Sequence, residues 1–345
     1  MARTHHLDAG AVHYEWNNTL APRLVVEPGD TVVFDTRDAA DGYYTPASTH
    51  ADVLARGPFR GHPLTGPVAV AGARPGDVLV VEILEVTPRA SFGWTAIRPG
   101  RGLLPEADFP KPFLQLWDLS DGTHARMGRD IAVPLEPFPG VMGVALDEPG
   151  GHSTMPPRKN GGNMDVKQLT AGTTLYLPVW VDEALFSVGD GHGAQGDGEV
   201  NGTGIETPMT VTLRFRLMKG ANVPELRFTT PPGKKLTVAD EGGYFVTTAH
   251  GPDLFKDAQQ AVRYMIDYLA SEHNMTREQA YCLCGAAVDL KISEIVDAPN
   301  WIVSAYLPLS IFVKKAAPPR RRAASKAKAR PRAKAKTAAR KKTKR

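Results

Sequence analysis

The chain has 345 residues, with 41 Lys and Arg against 37 Asp and Glu, a formal net charge of +4, and only two cysteines, Cys282 and Cys284. That length allows a large core and about two domains, two cysteines exclude a disulfide framework, and no segment reaches the ~20 consecutive apolar residues of a membrane span. The charge is uneven: 16 of the 41 bases fall after position 313, leaving 25 against 37 acids before it, so a globule of net charge −12 carries a basic tail. Residues Met1 to Asp8 are polar and no apolar run follows, so no signal peptide is read there and a reducing cytoplasm is the expected compartment.

The first two-thirds of the chain read as β, because short β-branched runs are punctuated by turn residues, with 29 prolines and 33 glycines in the whole chain. Leu24 to Val26, the turn Pro28-Gly29-Asp30 and Thr31 to Phe34 give strand, turn, strand; Pro fits the second turn position and Gly the third, where φ is positive. The device recurs at Pro75-Gly76-Asp77 before Val78 to Leu84, and at Gly172 before Thr173 to Val181. Such units predict a sandwich or barrel, and their spacing is too irregular for a propeller. From Thr87 to Asn163 the many prolines predict long loops laid over the β framework. Within this region and before it stand Thr49-His50-Ala-Asp52, a short H-x-D pair, His62 and His152 beside glycine or proline, and Asn163 and Asp165 on the turn opened by Gly161-Gly162. Each of these is by itself more often a surface or core-satisfied residue than a ligand.

The segment Gly189 to Glu206 is different. Its 18 residues hold seven glycines, four acids (Asp190, Asp197, Glu199, Glu206) and His192. A linker has no use for that set, and so many glycines let the backbone curl and bring charges together. Asp190 and His192 at i and i+2 would face the same side of an extended strand. Carboxylate oxygen with imidazole nitrogen suits zinc, iron or manganese, and the other acids supply further ligands or a general acid and base. Gly191 to Gly196 also matches G-x-G-x-x-G, but Gly, Asp and Glu follow where a dinucleotide fold needs an apolar helix, so that reading fails. No G-x-S-x-G elbow, no H-E-x-x-H and no cysteine on a glycine turn is present, which leaves acyl-enzyme chemistry without a carrier.

After Gly220 the period changes to three and four. Leu254, Ala258, Ala261, Met265 and Leu269 predict an amphipathic helix capped near Asn274, and Thr276-Arg-Glu-Gln279 is a capping box opening a second helix. Val288 to Ile292 and Trp301 to Phe312 then read as strands. The division expected is a β-rich region over 1–220 carrying the site, an α/β subdomain over 221–313, and a Lys/Arg/Ala-rich tail over 314–345 that is too poor in apolar residues to fold. That tail suits non-specific polyanion or nucleic-acid contact.

Several runs together resemble the acetamidase/formamidase family: Gly162-Asn-Met-Asp165, Leu175-Tyr-Leu-Pro-Val179, Ala184-Leu-Phe-Ser187, and Gly189-Asp-Gly-His192 leading through Gln195-Gly-Asp-Gly-Glu199 to Ile205-Glu206. Thr65-Gly-Pro-Val68 and Leu307-Pro-Leu-Ser-Ile-Phe312 support it, so the likeness spans roughly His5 to Phe312. The resemblance implies a mainly β fold of jelly-roll or barrel character with a smaller α/β part, cytoplasmic homo-oligomers, and hydrolysis of short aliphatic amides. Asn201 departs from it, standing where relatives usually carry cysteine.

The expected function is therefore a metal-assisted amidohydrolase. Asp190 and His192 are the primary ligands of a divalent ion, zinc first, with calcium or another ion as alternatives; His50 and Asp52 are further candidate ligands. Glu206, Glu199, Asp165 and Asn163 are the candidate catalytic residues, with ligand and base among the acids left unassigned. A metal-free amidase, or a carbohydrate- or polyanion-binding β module with a structural metal loop, are the competing expectations.

Overall fold

The β-branched runs and turns read in the first part of the chain become two facing sheets in the computed structural model, which describes residues 2–313. The expected basic tail, 314–345, lies outside the described residues. One sheet has six strands in the order Thr4–Leu7, Thr31–Asp35, Met209–Met218, Val78–Pro88, Thr174–Pro178, Arg227–Thr229. The other has five, in the order Gly161–Asn163, Phe138–Gly143, Phe186–His192, Leu64–Val70, Leu24–Val26. In Thr31–Asp35 and in the first seven residues of Met209–Met218 every second side chain is buried, the period of a strand with one face inward. Those inward residues join Val68, Val70, Phe186 and Val188 of the facing sheet in one apolar cluster. At its centre Phe34, Phe186 and Phe215 meet edge to face at 5.1–6.3 Å, each ring contributing about 1.5–3 kcal/mol by burial.

The turn glycines behave as their positions require, with φ of 105° at Gly29, 89° at Gly76 and 89° at Gly172. The first of these turns does not make a hairpin, however. Leu24–Val26 pairs in parallel with Leu64–Val70 in one sheet while Thr31–Asp35 pairs in the other, so the chain crosses between layers at Pro28-Gly29. The fold is mainly β, and among the described residues none of the strand orders closes into a barrel.

The proline-rich region is not loop. It holds an antiparallel four-stranded sheet in the order Ile131–Pro134, His124–Met127, Phe113–Asp118, Phe92–Ile97, and also the strands Phe138–Gly143 and Gly161–Asn163. The prolines sit where a missing N–H is harmless: Pro112 precedes a strand and Pro134 ends one. Short strands between them are too brief to show a period.

Toward the C-terminus, Tyr244–Gly251, Trp301–Pro308 and Asp289–Glu294 form a three-stranded sheet. Helix Leu254–Glu272 is capped by the Asp253 side chain, which accepts from the main-chain N–H groups of Phe255 and Lys256, and buries Ala261, Val262, Met265, Ile266 and Leu269. It ends at Glu272, with Asn274 beyond its cap at φ 52°. Helix Arg277–Ala287 carries the expected Thr276/Gln279 capping box, and both cysteines on it are buried free thiols. Its residues share an apolar cluster with Ile97, Trp117 and Ile131 of the four-stranded sheet and with Ala194, Val200 and Ile205 of the glycine-rich segment. Among the described residues no helix is long and apolar enough to cross a membrane.

This packing matters for the glycine-rich segment, which takes its shape from the elements around it. Gly196 N–H donates to the carbonyl of Gly285 at 2.9 Å, Leu290 N–H to that of Asp197 at 3.0 Å, and the Tyr281 hydroxyl to that of Val200 at 2.5 Å. Asp289, buried and ion-paired with Lys167, accepts the N–H of Asp197 at 2.9 Å. The C-terminal elements thus hold the returning arm of the segment in place.

Candidate active site

Strand Phe186–His192 runs through the five-stranded sheet with every residue buried and ends on Asp190 and His192. The two side chains converge, His192 Nε2 standing 3.5 Å from Asp190 Oδ1. Regular extension does not account for this, because Asp190 has φ 58°. Asp165 (48°) and Glu199 (44°) share that left-handed conformation, which costs a non-glycine residue about 1–3 kcal/mol and persists only where the surroundings impose it. Just before the strand Glu183, Ala184 and Leu185 are also left-handed, so the chain enters it through a tight turn.

The returning arm brings Glu206 beside His192 by a backbone bridge, with Glu206 Oε1 3.1 Å from Nε2 and Glu199 Oε1 3.9 Å from it. Two overlapping sets of possible ligand atoms result, Asp190/His192/Glu206 and Asp165/His192/Glu199. Asp190, His192 and Glu206 are 3%, 0% and 2% exposed, too deep for water to satisfy their charges. Gln195 sets the imidazole. Its side-chain nitrogen donates to the Asp165 carbonyl at 2.7 Å, so its oxygen faces His192 Nδ1, also at 2.7 Å, and Nδ1 carries the proton. Nε2 is thereby aimed at the carboxylates. Phe138 packs edge-on against the same ring at 5.1 Å.

The charge states follow from crowding. Burial, reinforced by neighbouring acids, raises Glu199 and Glu206 to about 8 and moves Asp165 well above the usual carboxylate range. For Asp190, burial works the same way but is outweighed by His62 and His192, which hold it below that range. Burial disfavours a charged His192, yet Glu206 and Asp190 outweigh it and raise the imidazole.

Four carboxyl groups, two of them fully buried and two half-buried, gather on one imidazole. Asp165 Oδ1, Asp190 Oδ1, Glu206 Oε2 and His192 Nε2 have no hydrogen-bond partner among the described residues. Gly140 keeps the space between them open: a Cβ there would lie 2.6 Å from Asp165 Oδ1 and 2.9 Å from Asp190 Oδ2. Unpartnered oxygen and imidazole donors around a cleared volume fit a divalent cation.

Asn163 lines the same cavity, its side-chain nitrogen donating to the Met155 carbonyl at 3.0 Å and its oxygen unpartnered. His50 and Asp52 are not brought to this cluster. His50 is exposed, stacks on Phe113 and accepts the Leu114 N–H on Nδ1 at 3.0 Å; Asp52 accepts the Thr49 N–H and hydroxyl at the start of the short helix Asp52–Ala55. Their i, i+2 spacing serves a local turn, which correlates nothing with a distant site. A different histidine is present instead. His62 is buried, held at 3.1 Å from the Thr154 hydroxyl, and its Nε2 is 3.7 Å from Asp190 Oδ2; burial keeps its pKa low. Gly61 and Pro63 on either side were its sole sequence signal. Gln195, hidden in the false dinucleotide motif, is the other residue the motif reading passed over.

The acids lie at the buried end of a cavity of about 690 Å³, whose walls include Tyr44, Phe59 and Trp94. The acetamidase/formamidase family model matches residues 2–150 and 148–314. The chain belongs to the acetamidase/formamidase family. Curated relatives in that family include a formamidase of Methylophilus methylotrophus, 29% identical with 88% of this chain and 90% of its own covered, and an acetamidase of Mycolicibacterium smegmatis, 27% identical with 80% and 85% covered. Among solved structures, a gamma lactamase from Delftia acidovorans superposes with a TM-score of 0.82 at 27% identity, covering 90% of this chain and 93% of that one. An acetamidase from Bacillus halodurans is 32% identical at a TM-score of 0.62, with 88% and 97% covered.

Because this family's imidazole is oriented here through Gln195, Gln195→Leu is expected to leave a buried Nδ1–H unpaired. Thermal unfolding should fall by the equivalent of about 1–3 kcal/mol, and amide turnover by about 10–100-fold. Unchanged turnover with a lowered melting temperature would mean that the amide serves only the packing.

Proposed function

We propose that the protein hydrolyses short aliphatic amides, of the formamide and acetamide kind, to ammonia and the carboxylate. The observation that carries this reading is the convergence on His192 of Asp165, Asp190, Glu199 and Glu206, four acids that line one cavity, in a chain whose relatives are named for amide hydrolysis.

Asp190, His192 and Glu206, the deepest set, are the residues that would hold a divalent cation, zinc being the ion best suited to two carboxylates and an imidazole. Such an ion, when bound, supplies positive charge that polarises the amide carbonyl and acidifies water. The rest belongs to the chain. Asp165 and Glu199 stand side by side facing the cavity, their carboxyls raised by burial and by neighbouring acids, and the reaction uses the pair with one member ionised and the other protonated. The ionised member accepts a proton from the attacking water, whose oxygen bonds to the carbonyl carbon. The protonated member donates to the amide nitrogen, because that nitrogen leaves poorly until protonated, and the C–N bond breaks. A pair with raised pKa values suits both roles near neutrality. His62 beside Asp190 is buried and hydrogen-bonded to the Thr154 hydroxyl, which fixes its ring against that carboxylate.

The test is direct. Purified protein given formamide or acetamide is expected to release ammonia and the matching carboxylate in equal amounts. Absence of ammonia from both, in a folded and metal-supplied preparation, would end the proposal.

A further inference from the structure

The open side of the same cavity carries a feature that hydrolysis of acetamide does not use. Three guanidinium groups, Arg56, Arg98 and Arg101, line it. Arg56 and Arg98 are half-buried and Arg101 is exposed. None lies within 4.0 Å of a carboxylate among the described residues. Two are fixed by one arm only, Arg56 Nη2 donating to the Ala39 carbonyl at 2.7 Å and Arg98 Nη2 to that of Gly57 at 2.8 Å. Arg56 also lies over the Phe59 ring at 5.8 Å, and among the described residues neither fork makes a further hydrogen bond.

From this geometry we infer that the protein's substrates include amides bearing a distal carboxylate, the monoamides of short dicarboxylic acids. This rests on the amide-hydrolase reading and extends it. Three points carry it. A molecule as small as acetamide fills a small part of a 690 Å³ space, which is of the size that holds far larger ligands. Three like charges line one cavity with no carboxylate closing an ion pair on any of them among the described residues, and the planar fork of arginine matches a carboxylate in two hydrogen bonds. In the same cavity Tyr44 and Trp94 pack at 4.6 Å and present an apolar wall, suited to a methylene chain. The buried acids repel a carboxylate and the arginines attract it, so such a substrate enters amide first. Water adds to its amide carbonyl, the C–N bond breaks, and the products are a dicarboxylate and ammonium.

The experiment compares succinamate, glutaramate and adipamate with the neutral alkyl amides of the same chain length, alongside acetamide. At one or more lengths the charged amide is expected to have kcat/KM at least about tenfold above its neutral counterpart, mostly through KM. Arg98→Gln/Arg101→Gln should reduce the charged-to-neutral ratio about tenfold, and raised ionic strength should reduce it in the parent protein. If the double variant is thermally unstable, Arg101→Gln alone, whose exposed side chain makes no hydrogen bond among the described residues, gives the same comparison. Neutral amides equal or superior at every length, or a ratio untouched by the variants, would overturn the inference. Should no amide of either class release ammonia, the hydrolase reading fails by itself. Calorimetric binding of glutaramate then reads the arginine end: binding weakened in the variant upholds it, and no binding to the parent protein removes it.

Discussion

Asp190→Asn is expected to lower kcat/KM for acetamide by about a thousandfold while the protein keeps its fold. The substitution is chosen for its narrowness. Asn has nearly the shape of Asp and tolerates the left-handed conformation that Asp190 adopts at φ 58°, so backbone and packing stay as they are. What changes is one negative charge, 3.5 Å from His192 Nε2 and 3.7 Å from His62 Nε2. Asp190 is held ionised by His62 and His192, so losing its charge removes that attraction from the ion-free protein. Ion-free Asp190→Asn should therefore melt lower than the ion-free parent, while still folding. Circular dichroism and ammonia release on the same preparations separate the two effects. If turnover stays within threefold of the parent, Asp190 is not part of the catalytic machinery, whatever its position.

Exhaustive chelation carries the second large effect. Asp165 Oδ1, Asp190 Oδ1, Glu206 Oε2 and His192 Nε2 are buried without partners, an arrangement that costs folding energy unless something satisfies it. A cation binding only the folded state at about a hundred times its Kd would stabilise the protein by about 2.7 kcal/mol. The chelated protein is thus expected to lose nearly all amide turnover and to unfold at lower temperature, and both should return when a divalent ion is added back. Elemental analysis should find about one ion per chain, and in Asp190→Asn much less. Full activity in a preparation free of bound metal would leave the imidazole and the carboxyls to act alone, the competing expectation raised by the sequence.

Much of the fold could be read before any coordinates. Strands such as Thr31–Asp35 and Val78–Pro88 are legible because their β-branched runs follow turn glycines that local φ preference places there. The two late helices were equally plain, because Asp253 and the Thr276/Gln279 pair satisfy local N–H groups from neighbouring positions. The four-stranded sheet over 92–134 was not, since its short strands lie between prolines and their partners are supplied by one another across turns. For the site, Asp190, His192, Glu199 and Glu206 stood out because they share one glycine-rich segment. Asp165 was marked by a glycine turn. His62 had no such company, and His50, which had a nearby acid, lies elsewhere.

By itself the sequence determined what is local: the secondary-structure periods, the caps, the turns, and the concentration of acids and one imidazole on a flexible run. Tertiary structure decided which of those side chains meet. Asp165 and His62 come to the cluster through strand pairing and close packing, and Gly140 leaves the space in which they converge. The left-handed backbone at Asp165, Asp190 and Glu199 belongs to the same class, since nothing in a residue's own preferences selects it. Contacts between distant segments supply the energy that holds such conformations, and those contacts exist only in the folded chain.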